Sequence, residues 1–140
     1  MTDALKPFFF DTAAIDGFTI ADIFEGSPDA EHYYDLFGKE LLTKMIVQAP
    51  NFTVTHQTAP PGAKVKPHRH GVLQIDYVLA GELWFGNRRL TAGMGAFIPD
   101  TLYAWRAGDE GAQWIEIHSG GASGIYTERR TGDDEPVTGG

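Results

Sequence analysis

The chain has 140 residues, 42% of them hydrophobic, and carries 19 acidic against 11 basic side chains for a formal charge of −8. That length fills one core and is short for two, while the acidic balance argues against a broad phosphate-binding surface and so against nucleic acid as a partner. Cysteine is absent, which excludes disulfides, thiolate ligands and a cysteine nucleophile, and 17 glycines with 8 prolines favour turns over long helices.

The start, Met1 to Pro7, has no basic segment followed by an apolar core of signal-peptide length, and no run approaches the roughly 20 apolar residues of a membrane span. The expectation is a cytoplasmic protein with no membrane contact. Phe8-Phe9-Phe10 and Phe18-Thr19-Ile20 are short apolar pieces that read as edge strands, or as an arm packing on a second subunit. Ser27-Pro28-Asp29-Ala30-Glu31 carries helix-start signals, with Ser27 as N-cap and Pro28 at the first helical position, and Gly38 is the expected end. Residues 1–40 thus read as an N-terminal arm and short helix packing on the domain that follows. His32, beside Tyr33 in that helix, reads as part of a solvated face.

From Leu41 the pattern is strand, turn, strand. Leu41 to Gln48 and Asn51 to Thr58 are separated by Ala49-Pro50, and Pro60-Pro61-Gly62 is a firm turn before a histidine-bearing strand. Gln74 to Leu79, Glu82 to Phe85, Arg88 to Leu90 after the Gly86-Asn87 turn, Ala96 to Ile98, Tyr103 to Arg106 and Gln113 to His118 follow. Short strands at this spacing indicate one all-β antiparallel barrel or sandwich over residues 41–120. Residues 121–140 turn to Gly, Thr and charge and are expected to form a flexible tail.

The chemistry concentrates between Gly62 and Gly81. His68 and His70 are two apart, so an extended strand presents both imidazoles on one face, and a returning strand lets Gln74 offer its amide oxygen to the same point. Two neutral imidazoles and an amide oxygen outline a site for a first-row divalent ion. The competing reading is a surface histidine pair on a polar strand, among Lys64, Lys66 and Arg69. Asp76 is two positions beyond Gln74, on the same face and roughly 6.5 to 7 Å along the strand. It is a candidate general base, or a carboxylate that orients a histidine or pairs with Lys66.

The spacing G-x5-H-x-H-x3-Q-x6-G, together with Pro67 and Tyr77-Val78-Leu79-Ala80-Gly81, resembles the first motif of the cupins, in which glutamate is usual where Gln74 stands. Gly93-Met94-Gly95-Ala96-Phe97-Ile98-Pro99 through Trp105 resembles the second motif, without its histidine; the ligand position falls on Ala104, or on Tyr103 if one turn residue is missing. The resemblance covers roughly residues 50–120. It implies a single RmlC-like jelly-roll barrel with a metal held by His68, His70 and Gln74; some cupin enzymes, uronate-processing and cyanohydrin-cleaving ones among them, use Gln there. A neutral ligand leaves the ion a stronger Lewis acid.

The fourth ligand is open between Tyr103, otherwise a pocket wall, and His118. If Trp114, Glu116 and His118 share the inner face of the last strand, His118 completes the site; if Ile115 and Ile117 do, it is a strand-end residue. With Phe52 and Val54 inward, His56 also points into the barrel, and Trp105, Phe97 and Trp84 are available as walls. The expected protein is a homodimeric, metal-dependent enzyme carrying Fe, Mn, Ni or Zn and acting on a small oxygenated, aromatic or diketone-like molecule. Oxygen activation by a dioxygenase, or Lewis-acid isomerase, lyase or cyclase chemistry with Asp76 or Tyr103 moving a proton, both suit these residues. The rival is a cupin that binds a small molecule and catalyses nothing.

Overall fold

The computed structural model describes residues 5–120. Phe8, Phe9 and Phe10 enter no strand and are exposed. After a short 3-10 turn at Thr12–Ala14, the chain forms an edge strand β1 (Phe18–Thr19) and turns at once into helix α1 (Ile20–Phe24). The apolar Phe18-Thr19-Ile20 reads as a strand, yet it ends after two residues because Thr19 and Asp22 form a reciprocal cap. The Asp22 amide donates to Thr19 Oγ1 at 3.1 Å, and the Thr19 amide donates to Asp22 Oδ2 at 2.9 Å.

Helix α2 (Ala30–Phe37) starts later than its N-terminal signals indicate. Ser27 instead closes a turn, its Oγ accepting from the Asp29 amide at 3.2 Å and its carbonyl from the Ala30 amide at 3.1 Å. Gly38 does end the helix, at φ +75°, its amide donating to the Tyr34 carbonyl. The two helices lock through a Phe24–Tyr33 stack at 4.1 Å.

Seven further strands complete one antiparallel sheet: β2 (Leu42–Gln48), β3 (Phe52–Ala59), β4 (Lys64–His68), β5 (Gln74–Phe85), β6 (Arg88–Leu90), β7 (Gly95–Ile98) and β8 (Tyr103–Ser119). The order is β1-β2-β3-β8-β5-β6, with β4 also on β8 and β7 also on β5. The sheet wraps as the expected antiparallel jelly roll and is not closed. Two pairs of short strands expected from the sequence are continuous: Gln74 to Phe85 is one strand and Tyr103 to Ser119 another. Gly81 marks the join in β5, where the register on β8 shifts. It sits at φ +72°, and a Cβ there would run into the Gly111 carbonyl, so only glycine fits.

The interior has two storeys. Ala59, Leu83, Leu90, Ala107, Ala112, Val78 and the edge-to-face pair Trp105–Trp114 fill one end. At the other end the buried side chains are polar: Thr53, Thr55, His68, His70, Gln74, Asp76, Glu116 and His118. On β5 and β8 the alternate residues are apolar and point the other way, so Ile75, Tyr77, Leu79 and Ile117 face outward. Among the described residues no helix is long and apolar enough to cross a membrane.

Candidate functional site

The polar storey is built mainly from β4, β5 and β8, the last two hydrogen-bonded along most of their length. Register sets Gln74 opposite His118 and Asp76 opposite Glu116, all four pointing inward. Of the two alternations open for the last strand, the structure therefore takes the one with Trp114, Glu116 and His118 inside.

Two carboxylates directly across a strand pair repel each other, and burial sharpens the repulsion. Gln74 resolves it. Its Nε2 donates to Asp76 Oδ1 at 2.9 Å and to Glu116 Oε1 at 3.1 Å, and Trp114 Nε1 donates to the same Glu116 oxygen at 3.3 Å. Carboxylates accept, so the amide nitrogen must face them and the amide oxygen must face away. That oxygen accepts from the Tyr103 hydroxyl at 3.1 Å. Asp76 Oδ2 is buried without a hydrogen-bond partner.

Burial above all, then the Glu116 charge, holds the Asp76 carboxyl well above the ordinary carboxylate range and favours its protonated form. Burial likewise raises the Tyr103 phenol well above its usual range, with Glu116 and then Asp76 adding to the shift. Tyr103 is thus held as a neutral donor. Lys66 does not reach Asp76; it pairs with Asp35 on α2 at 2.8 Å.

The imidazoles gather beside this network. His68 Nδ1 lies 2.8 Å from the Lys66 carbonyl, which can only accept, so Nδ1 carries the proton and Nε2 the lone pair. The His68 and His70 rings meet edge to face with centroids 4.8 Å apart, and His70 and His118 do so at 5.6 Å. His118 is fully buried, and neither ring nitrogen has a hydrogen-bond partner; Nε2 stands 3.6 Å from Glu116 Oε2. Helix α2 seals this end, Phe37 packing on His68 at 5.1 Å and stacking over His70 at 6.5 Å. Arg69, between the histidines, is buried as well, and its Nε donates to Asp100 Oδ1 at 2.8 Å.

A cavity of about 30 Å³ lies among His68, His70, Tyr103, Trp105, Trp114 and Glu116, under Phe37. An open groove of about 1060 Å³ runs between β6, β7 and residues 99–104, with Phe85, Arg88, Phe97 and Leu102 among its lining. Tyr103 lines both. Trp105 walls the cavity as expected, whereas Phe97 is 63% exposed on the outer side and borders only the groove. His56 is another departure: Thr53, Thr55 and Gln57 take the inner face of β3, and His56 lies outside opposite Lys44 and Ile115. Burial, and next the Lys44 charge, lower its pKa. Glu116 is the residue that sequence reasoning passed over; its alternation with Trp114 and His118 was visible, but the strand register that pairs it with Asp76 was not.

Among the described residues no three His, Asp or Glu side chains converge as a ready cage for an ion. The donors nevertheless suit a divalent first-row ion. His68 has its lone pair on Nε2, His118 is buried with both nitrogens orphaned, and Gln74 presents a neutral oxygen whose second lone pair the Tyr103 bond does not use.

No family model matches the chain, and no curated protein matches it either. Solved structures do. The polyketide cyclase RemF of Streptomyces resistomycificus superposes with a TM-score of 0.61 at 16% identity, over 81% of this chain and 80% of that one. An RmlC-like cupin of Shewanella frigidimarina gives 0.53 at 23% identity, over 59% and 78%. A cupin-like protein of Thermotoga maritima gives 0.53 at 28% identity, over 60% and 71%. These similarities agree with the antiparallel jelly roll.

Proposed function

We propose that this chain, a cupin by fold, is a metal-dependent enzyme that moves a proton on a small oxygenated organic compound, in isomerase, lyase or cyclase chemistry. The observation that carries the reading is the Gln74 amide, braced by two buried carboxylates on its nitrogen so that its oxygen faces Tyr103. His68 and His70 would hold a divalent ion through ring nitrogens and Gln74 through Oε1, with His118 as the remaining donor. When bound, the ion supplies Lewis acidity toward a carbonyl or enol oxygen of the substrate.

Glu116 lines the cavity and is the group that takes or returns a proton at carbon, with the protonated Asp76 across the strand pair from it. Tyr103 stays a phenol at the boundary of cavity and groove and donates to substrate oxygen. The groove, with aromatic walls and Arg88 on its lining, receives the body of the substrate. Two buried acids beside the proposed ion favour proton transfer over the dioxygenase route. RemF supports the reading only so far as a cyclase occupies this fold.

The test is hydrogen–deuterium exchange at enolisable C–H groups across a panel of diketones and phenolic ketones, with protein reconstituted with Zn, Mn, Ni or Fe(II). Metal-dependent exchange, lost in Glu116→Gln with metal retained, is expected. Ala104 at the second-motif ligand position favours the binding-module reading instead. Saturable binding of a panel compound without exchange or turnover would establish it.

A further inference from the structure

The open groove along β6, β7 and residues 99–104 has a charge pattern that the chain as a whole does not share. Acids outnumber bases 19 to 11 overall, yet the groove lining includes Arg88 and Arg89 and no Asp or Glu. Acids that border it are engaged elsewhere: Asp100 accepts from Arg69 Nε at 2.8 Å, Glu82 pairs with Arg89, and Asp76, opposite Ala96, accepts from Gln74 inside the sheet. Arg88 is placed differently from Arg89. It lies directly opposite Phe85, as Leu90 lies opposite Leu83, so it shares the face on which those two leucines are buried. Strand alternation thus sets an exposed guanidinium at a position of apolar pattern, on the wall of the groove. The Phe85 ring in turn lies 6.3 Å from the Tyr103 ring. Arg88, Phe85 and Tyr103 therefore run from a cation, across an aromatic wall, to a phenol that also borders the inner cavity.

We propose that the groove takes its ligand as an anion: Arg88 holds a carboxylate or phosphate at the β5–β6 end, an apolar body lies along Phe85 and Leu102, and Tyr103 meets an oxygen at the other end. The inference rests on the reading of this groove as the seat of the substrate, and narrows that substrate to an oxyanion joined to an aromatic or other apolar body. A guanidinium suits both oxyanions, because its planar donors match their paired oxygens and it stays charged at every working pH. At about 1060 Å³ the groove has the size of a ligand cleft, roughly 300–1,000 Å³. A chain of charge −8 offers anions no general attraction, so a preference for them has to come from a local contact.

The experiment is equilibrium dialysis of the full chain, stripped of metal with chelator, against naphthoate, naphthyl phosphate and the neutral acetylnaphthalene. It is repeated on Arg88→Gln and, for comparison, Arg89→Gln, with circular dichroism to show that both variants fold. One anion or both should bind about 10-fold or more tighter than the ketone. Arg88→Gln should remove that preference and leave ketone binding unchanged, while Arg89→Gln keeps it. The anion preferred tells carboxylate from phosphate. Equal binding of all three probes, no binding of either anion, or a preference that survives in folded Arg88→Gln would overturn the proposal. Because the readout needs neither metal nor turnover, anion binding in a protein without exchange activity would overturn the proton-transfer reading alone. Exchange activity without an anion preference would overturn this inference alone.

Discussion

At the residue scale, the site turns on why position 74 is Gln. In the cupin pattern glutamate is usual there, but in this chain two buried acids, Asp76 and Glu116, already flank the position and need a donor. Gln74→Glu would remove both amide donations and place a third carboxyl among them. We expect a loss of about 3 kcal/mol at neutral pH in chelator-treated protein, by denaturant titration, with partial recovery in acid. Asp76 gives a second prediction. Burial and Glu116 raise its pKa in the folded state, so the native chain binds more protons than the unfolded one above the ordinary carboxylate range. The stability tied to that proton is complete below the unfolded pKa and is lost as pH rises through the folded pKa. The thermal midpoint of chelated protein should fall over that window, and Asp76→Asn should flatten the profile; an unchanged slope would show that Asp76 carries no shifted proton. The sequence made His68, His70, Gln74 and Asp76 legible because strand periodicity alone sets a shared face. Glu116 stayed hidden because its role depends on a cross-strand partner about forty residues away, and His56 misled because Phe52 and Val54, apolar and therefore assigned inward, lie on the outer face.

At the element scale, strand positions from Leu42 onward were readable from turn residues and alternation, and the joins were not. Gly81 has the look of a strand terminator, but hydrogen bonding carries β5 through it on a left-handed residue. Gly81→Ala should cost about 3 kcal/mol or more, from backbone strain together with the collision on the Gly111 carbonyl, measured by denaturant unfolding. Helix α1 was missed because its first residues have strand character and only the Thr19–Asp22 cap ends the strand. Helix α2 matters for the site because Phe37 roofs His68 and His70. Phe37→Ala should destabilise by about 3 kcal/mol and speed acylation of those histidines by diethylpyrocarbonate, followed by mass spectrometry. Unchanged reactivity in the folded variant would show that the roof does not control access.

At the scale of the whole molecule, the same period-two alternation serves two surfaces. Apolar residues turned outward free the inner face for carboxylates, an amide and imidazoles, and they also leave an apolar outer field. Composition indicated one acidic domain, and the histidine spacing indicated the jelly roll. Neither could show that the sheet stays open or that β5 and β8 invert their polarity, since both depend on which strands become neighbours. The proposed chemistry rests on His68, His70 and Gln74 holding an ion, and elemental analysis of tag-free protein, reconstituted and then dialysed, tests that directly beside His68→Ala. About one Fe, Mn, Ni or Zn per chain, lost in the folded variant, is the expected result; no retained metal in the native protein, or equal metal in both, would contradict it.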